Sequence, residues 1–229
     1  MNLLSPRPGA HRTRLLAAAF TCWLGFAAIA WWQESGASAA FDSAGLLIWR
    51  KPPLFDPAGP AIVTDAMQVL TLFGGGPFRT MLGIIVLAVL LSRRRKRESV
   101  MLLALMIPSA AINSTLKWLF ARPRPDIVPH LTGYGDLSFP SGHSLNGAAT
   151  YLGLALILGS LRGRRHGVWI AAALCLSLGI AFSRVWLGVH YPTDAIAGWL
   201  GGTGWALMVA AVARPVASPL ARPSRAGGA

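Results

Sequence analysis

The chain has 229 residues, 54% of them hydrophobic and only 13% charged, with a mean hydropathy of +0.52. A soluble domain carries about 25% charged residues, so these figures exclude a water-soluble globule and point to an integral membrane protein. The net charge of +13 raises nucleic acid as a partner. The basic residues, however, fall in blocks beside apolar runs, with no aromatic interleaving and no soluble domain to present them, so no nucleic-acid partner is expected.

The first apolar run, Leu15 to Trp32, is preceded by Arg7, Arg12 and Arg14 and followed by Ala37-Ser38-Ala39, which has the pattern of a signal-peptidase site. A signal-peptide core is usually about 7–15 residues; eighteen residues read better as a transmembrane anchor. Residues 33–76 scatter Asp, Pro and Gly and contain an amphipathic segment, Ala61 to Phe73, whose Asp65 and Gln68 suit an interface rather than lipid. The second span runs from about Pro77 to Leu91 and ends on the block Arg93-Arg94-Arg95-Lys96-Arg97. The third is Ser99 to Leu116, with Pro108 as an expected kink. The fourth is Ser144 to Leu161, the fifth Gly167 to about Phe182 and the sixth Ala195 to Ala213. Each is near the roughly 20 residues that cross a hydrocarbon core. Cys22 and Cys175 both fall inside spans and have no metal-ligand spacing.

Six spans with an inner amino terminus assign a side to every connection. Residues 1–14, 92–98, 162–166 and 214–229 then lie inside and hold fourteen of the 21 Lys and Arg with one acid, Glu98. The outer side holds the remaining seven basic residues and seven acids, so the whole net charge lies on one face. That is the positive-inside pattern, and five or seven spans would break it. The expected fold is an all-α polytopic bundle of six transmembrane helices over residues 15–213. It has a cytoplasmic segment 1–14 and a disordered cytoplasmic tail 214–229.

On the outer side three segments converge: Lys117 to Pro125 (KWLFARPRP), Pro140 to His143 (PSGH) and Ser183 to Asp194 (SRVWLGVHYPTD). Lys117, Arg122, Arg124 and Arg184, with Ser141 and the Gly142 amide near a helix start, make a receptor for a multiply charged oxyanion such as phosphate. Pro192 suits the first turn of span six, which places Asp194 four residues after His190 and within reach of one imidazole nitrogen. The other nitrogen is left as a nucleophile, and His143 is placed to protonate a leaving oxygen. Two histidines around one phosphate site suggest displacement through a phosphohistidine.

Lys117-x6-Arg124-Pro125, Pro140-Ser141-Gly142-His143 and Ser183-Arg184-x5-His190-x3-Asp194 together resemble the three-part signature of the type 2 phosphatidic acid phosphatase (PAP2) family. That superfamily also holds bacterial acid phosphatases and vanadium haloperoxidases. The resemblance covers roughly residues 100 to 200 directly, with every signature position between Lys117 and Asp194 matched, and the six-span layout extends it to most of the chain. It implies that His190 is the nucleophile, Asp194 its partner and His143 the general acid. Lys117, Arg124, Ser141, Gly142 and Arg184 would bind the phosphoryl group, with no metal or other cofactor. It further implies a phosphorylated lipid substrate embedded in the bilayer and a multi-pass protein of the cell (inner) membrane. The expected activity is that of an undecaprenyl pyrophosphate phosphatase-like enzyme or of a phosphatidic acid or phosphatidylglycerophosphate phosphatase, working on the extracytoplasmic side.

Singly these residues have plainer explanations. Lys117 is a snorkelling anchor, Asp194 a first-turn acid, and Trp31, Trp32, Trp118 and Trp186 an interfacial belt. Arg122, Asp126 and Asp136 stand outside the signature and receive no role, as do His11, His130 and His166. Two other functions fit the same cluster: a phosphotransferase passing phosphate to a lipid or sugar, and a transporter of an anionic lipid. A transporter is disfavoured because no half-to-half repeat appears and the polar residues gather at one interface rather than at mid-membrane.

Overall fold

The computed structural model describes residues 8–133, 135, 137–162 and 166–213. The expected tail 214–229, the first half of segment 1–14 and most of the inner connection 162–166 lie outside them. Described in chain order are α1 (Pro8–Glu34), α2 (Ala39–Leu47), a short hairpin of β1 (Arg50–Lys51) and β2 (Asp56–Pro57), α3 (Ala61–Gly74), α4 (Gly76–Ser92), α5 (Lys96–Phe120), α6 (Gly142–Arg162), α7 (His166–Trp186) and α8 (Pro192–Val212). The hairpin strands pair antiparallel, Arg50 opposite Pro57 and Lys51 opposite Asp56.

Five helices (α1, α5, α6, α7 and α8) are long and apolar enough to cross a membrane, and a sixth span exists when α3 and α4 are taken together. That pair bends by 51° at Gly75, whose extended backbone (φ −65°, ψ 147°) stops α3 and caps α4. Pro77 in the first turn of α4 costs no hydrogen bond there. The segment Ala61 to Phe73 is therefore half of a broken span as well as an amphipathic helix, and it packs along α7. This all-α multi-pass architecture matches the expected bundle, although several helices overrun their expected limits. α1 begins at Pro8 rather than Leu15, and α7 runs one turn past Phe182, keeping Ser183 and Arg184 helical.

Helix α6 is central, touching α5, α7 and α8, and α1 lies along α8. Close approach of α6 and α8 depends on Gly202, where a Cβ would come within 2.0 Å of the Leu145 carbonyl oxygen. Leu90, Leu102, Leu105, Leu156, Ile157 and Ala206 form the main core between α4, α5, α6 and α8. Nearer the functional end, Phe139 is fully buried and stacks edge-on against Phe120, with Phe26 of α1 beside both. Trp31 and Trp118 are strongly exposed, as interfacial anchors should be, whereas Trp186 is 5% exposed and packs on Trp49. Trp186 therefore does not belong to the interfacial belt; the extra turn of α7 carries it inward.

Candidate active site

Four helix ends meet at one end of the bundle: the carboxyl ends of α5 and α7 and the amino ends of α6 and α8. Helix α5 stops at Ala121, which takes a left-handed conformation (φ 44°). The following Arg122-Pro123-Arg124 is extended, with Pro123 bridged antiparallel to Leu137. In extended chain, residues two apart face the same side, so Arg122 and Arg124 reach the same histidine–aspartate pair from two ends.

His190 lies in the turn between α7 and α8, 1% exposed. Its Nδ1 is 3.3 Å from Asp194 Oδ2 and 3.3 Å from Ser138 Oγ, while its Nε2 is 3.1 Å from Arg124 Nη1. Asp194, at the third position of α8, accepts from the Tyr191 backbone N–H at 2.9 Å in a capping arrangement that fixes the carboxylate under the ring. Ser138 Oγ donates to the same Oδ2, and Arg122 Nη1 donates to Oδ1 at 2.5 Å. This network assigns the proton to Nδ1 and leaves the Nε2 lone pair facing Arg124. Burial, and then the charges of Arg124, Arg184 and Lys117, hold the His190 pKa well below the ordinary histidine value, which favours the neutral ring.

Arg124 contacts that nitrogen, and Arg184 and Lys117 lie close enough to act on the ring electrostatically. Arg124 also donates to the Val189 and Gly135 carbonyls, and Lys117 Nζ donates to those of Leu137 and Ser138. Arg184, 2% exposed, donates from Nη1 to Thr71 Oγ1 at 2.5 Å, and its buried Nε has no partner among the described residues. His143, in the first turn of α6, is close enough to interact electrostatically with Arg184, His190, Arg79 and Arg124. Ser141 is fully buried, its N–H donating to the Asp194 carbonyl.

The structure thus gathers His143, His190 and Asp194 with Lys117, Arg124, Ser141 and Arg184. At Gly142 a packing reason joins the ligand-approach argument, because a Cβ there would come 2.8 Å from Asn113 Oδ1.

Sequence reasoning passed over several neighbours. Ser138 lies two residues before the PSGH motif, with no local pattern to mark it. Arg122 was set aside, yet it is salt-bridged to Asp194 and to Asp42 of α2. Burial disfavours its charge, but Asp194 and Asp42 outweigh this and raise its pKa above the ordinary arginine value. The α3–α4 break seals one side: Arg79 Nε donates to the Gly74 carbonyl at 3.0 Å and Tyr151 Oη to that of Phe73 at 2.6 Å. A Cβ on Gly74 would sit 3.0 Å from His143 Cδ2. Beside Thr71, a cavity of about 390 Å³ opens between α3 and the connection from α5 to α6, lined by Asp65, Gln68, Leu131 and Thr132 among others.

Residues 98–216 match the PAP2 superfamily. The chain belongs to it. The chain is 32% identical over 167 residues to phosphatidylglycerophosphatase B of Bacillus subtilis, covering 71% of this chain and 76% of that one. It is 30% identical over 190 residues to lipid A 1-phosphatase of Rhizobium etli, covering 69% and 77% respectively. The crystal structure of a transmembrane PAP2-type phosphatidylglycerolphosphate phosphatase from Bacillus subtilis superposes with a TM-score of 0.74 at 25% identity, covering 83% of this chain and 93% of that chain. This PAP2 chain therefore shares both a domain and most of its helical frame with membrane lipid phosphatases.

Proposed function

We propose that this PAP2 protein is a lipid phosphatase that hydrolyses a phosphate monoester or diphosphate headgroup through a phosphohistidine on His190. The observation that carries the reading is the buried His190 ring, tied at Nδ1 to Asp194 and at Nε2 to Arg124, with the charges of Arg184 and Lys117 also acting on it. In the first step the Nε2 lone pair attacks phosphorus. The bond to the lipid oxygen breaks, and His143 delivers a proton to that oxygen. Asp194 accepts from Nδ1–H and stabilises the cationic phosphoimidazole. In the second step water attacks phosphorus, His143 takes its proton, the N–P bond breaks, and phosphate leaves. Lys117, Arg124 and Arg184 balance the charge on the phosphoryl oxygens throughout, aided by Ser141 and the Gly142 amide.

A lipid substrate is supported by a groove of about 440 Å³ between α4 and α5. Its walls are mostly apolar (Ile84, Leu87, Leu103, Ile107), and Arg79 stands at its active-site end. The relatives named above make phosphatidylglycerophosphate and lipid A 1-phosphate natural candidates, beside the isoprenyl diphosphate expected by family analogy. The orientation that sequesters the positive blocks in the cytoplasm puts the site on the extracytoplasmic face of the cell membrane.

The test is phosphate release by detergent-purified protein with EDTA present, offered phosphatidylglycerophosphate, phosphatidic acid, lipid A 1-phosphate and undecaprenyl diphosphate in parallel. Release from at least one lipid, abolished in His190→Ala, is expected. Transfer of the phosphate to an added lipid or sugar acceptor in place of release would make the protein a phosphotransferase. Full activity in His190→Ala would refute the phosphohistidine.

A further inference from the structure

The charges of buried Asp42 and half-buried Arg122 lie outside the signature, and the reaction as written does not use them. Asp42, in α2, is 1% exposed and Asp194 fully buried, and Arg122 bridges them at 2.7 and 2.5 Å. Arg122 Nη1 also reaches Thr193 Oγ1 at 2.8 Å, and its guanidinium carbon lies 4.2 Å from the centre of the Tyr191 ring. Asp42 is held in turn: its Oδ1 accepts from the Thr193 N–H at 3.0 Å, and its Oδ2 accepts from the hydroxyls of Thr193 and Ser38 at 2.8 and 2.9 Å.

We infer that Asp42 and Arg122 are positioning residues for phosphoryl transfer: Arg122 holds Oδ1 of Asp194 so that Oδ2 stays under His190, and Asp42 fixes the plane of Arg122. The inference rests on the function proposed above. The two oxygens of Asp194 have separate tasks. Oδ2 meets His190, Ser138 and the Tyr191 N–H, whereas the hydrogen bond at Oδ1 comes from Arg122. A carboxylate gripped at one oxygen by a planar guanidinium cannot rotate about its terminal bond without breaking that contact. The guanidinium, using one terminal nitrogen on each carboxylate, cannot turn while Asp42 holds the other. A lysine offers a single nitrogen and no plane, so it would keep charge at the site but lose the clamp. Both terminal nitrogens of Arg122 are engaged by carboxylates and a hydroxyl, and the side chain lies behind Asp194 rather than among the phosphate-facing cations. It therefore acts on the reaction through Asp194 and not on the substrate.

The plain alternative is a structural staple joining α2 to α8. The two readings separate in kinetics, because a staple alters how much protein folds and a positioning clamp alters turnover. Arg122→Gln, Arg122→Lys and Asp42→Asn would be purified as the full chain and assayed on whichever lipid phosphate the wild type hydrolyses. Inhibition by orthovanadate, a phosphate mimic, reports on the oxyanion pocket. The expected result is kcat lowered about tenfold to a hundredfold, the range seen when outer-shell orienting partners are removed. KM and vanadate inhibition stay at wild-type values. Combining Arg122→Gln with Asp42→Asn should lower kcat no further than Arg122→Gln alone, since Asp42 acts through Arg122.

Wild-type kcat in folded Arg122→Lys and Asp42→Asn would overturn the inference, as would a raised KM with kcat unchanged, which would make Arg122 a substrate contact. Arg122→Lys retains the charge and decides the matter if Arg122→Gln does not fold. Failure of all three to give monodisperse protein would mark the pair as a staple and also overturn it. A wild type inactive on every lipid phosphate removes the proposed function and this inference together. An active wild type with unaltered variants removes the inference alone.

Discussion

Arg184 shows what a single residue gives up to build such a site. It is 2% exposed, makes one hydrogen bond to Thr71, leaves Nε without a partner among the described residues, and feels the like charge of Arg124. A buried charge with so little compensation opposes folding. Arg184→Met keeps length and apolar bulk, removes that charge, and relieves Arg124, His190 and Lys117 of a cationic neighbour. The variant is expected to be neutral or more stable, by up to about 1–4 kcal/mol on the scale of buried charges replaced by well-packed apolar side chains, while losing phosphate release. Thermal unfolding in detergent beside the phosphate assay checks both halves. A large fall in stability would mean that Arg184 is held mainly for packing.

At the scale of elements, the α3–α4 break brings a surface helix against the chemistry. Gly74 lies where α3 crosses α7; a Cβ there would approach Ile180 Cγ2 to 2.5 Å and His143 Cδ2 to 3.0 Å, whereas Gly76 has nothing within 4 Å. Gly74→Ala must shift α3 or His143, at about 1–3 kcal/mol for overpacking, and lowered phosphate release is expected to accompany that loss. Gly76→Ala should leave both near wild type. Equal behaviour of the two variants, measured by thermal unfolding and turnover, would show that the break does not bear on His143.

This element also marks the limit of sequence reading. Fixed spacing and apolar runs made the signature residues and the six-span layout legible, because both are properties of neighbours along the chain. The continuity of α3 with α4 was not, since Asp65 and Gln68 break the apolar run and the bend at Gly75 appears only in three dimensions. Asp42 and Arg122 were illegible for the same reason: 80 residues separate them, and nothing local to either marks the other. The inward position of Trp186 likewise depended on one extra helical turn that no local signal demanded.

For the whole molecule, the direction of the bundle in the membrane joins charge to function. The site is built from the carboxyl ends of α5 and α7 and the amino ends of α6 and α8, so it occupies one end of the bundle. Arg93 to Arg97, spanning the turn after α4 and the start of α5, occupy the other. Both the candidate pocket and the loop at the opposite end are rich in cations, so the numbers of Lys and Arg at the two ends decide the expected orientation. In that orientation the outer segments hold seven of the 21 Lys and Arg and the inner segments fourteen. Lys and Arg near span ends set topology and acids contribute little, so the fourteen on the inner side should outweigh the pocket's own cations. Sidedness can be read by cysteine labelling in a Cys22→Ser, Cys175→Ser background. Leu54, 72% exposed near the β1–β2 hairpin, and Arg93, exposed at the end of α4, mark the two ends. Leu54→Cys is expected to react with a membrane-impermeant maleimide in intact cells, and Arg93→Cys only after permeabilisation. The reverse pattern would move the site to the cytoplasmic face while leaving the His190 chemistry intact, and it would require a lipid phosphate presented from the inner leaflet.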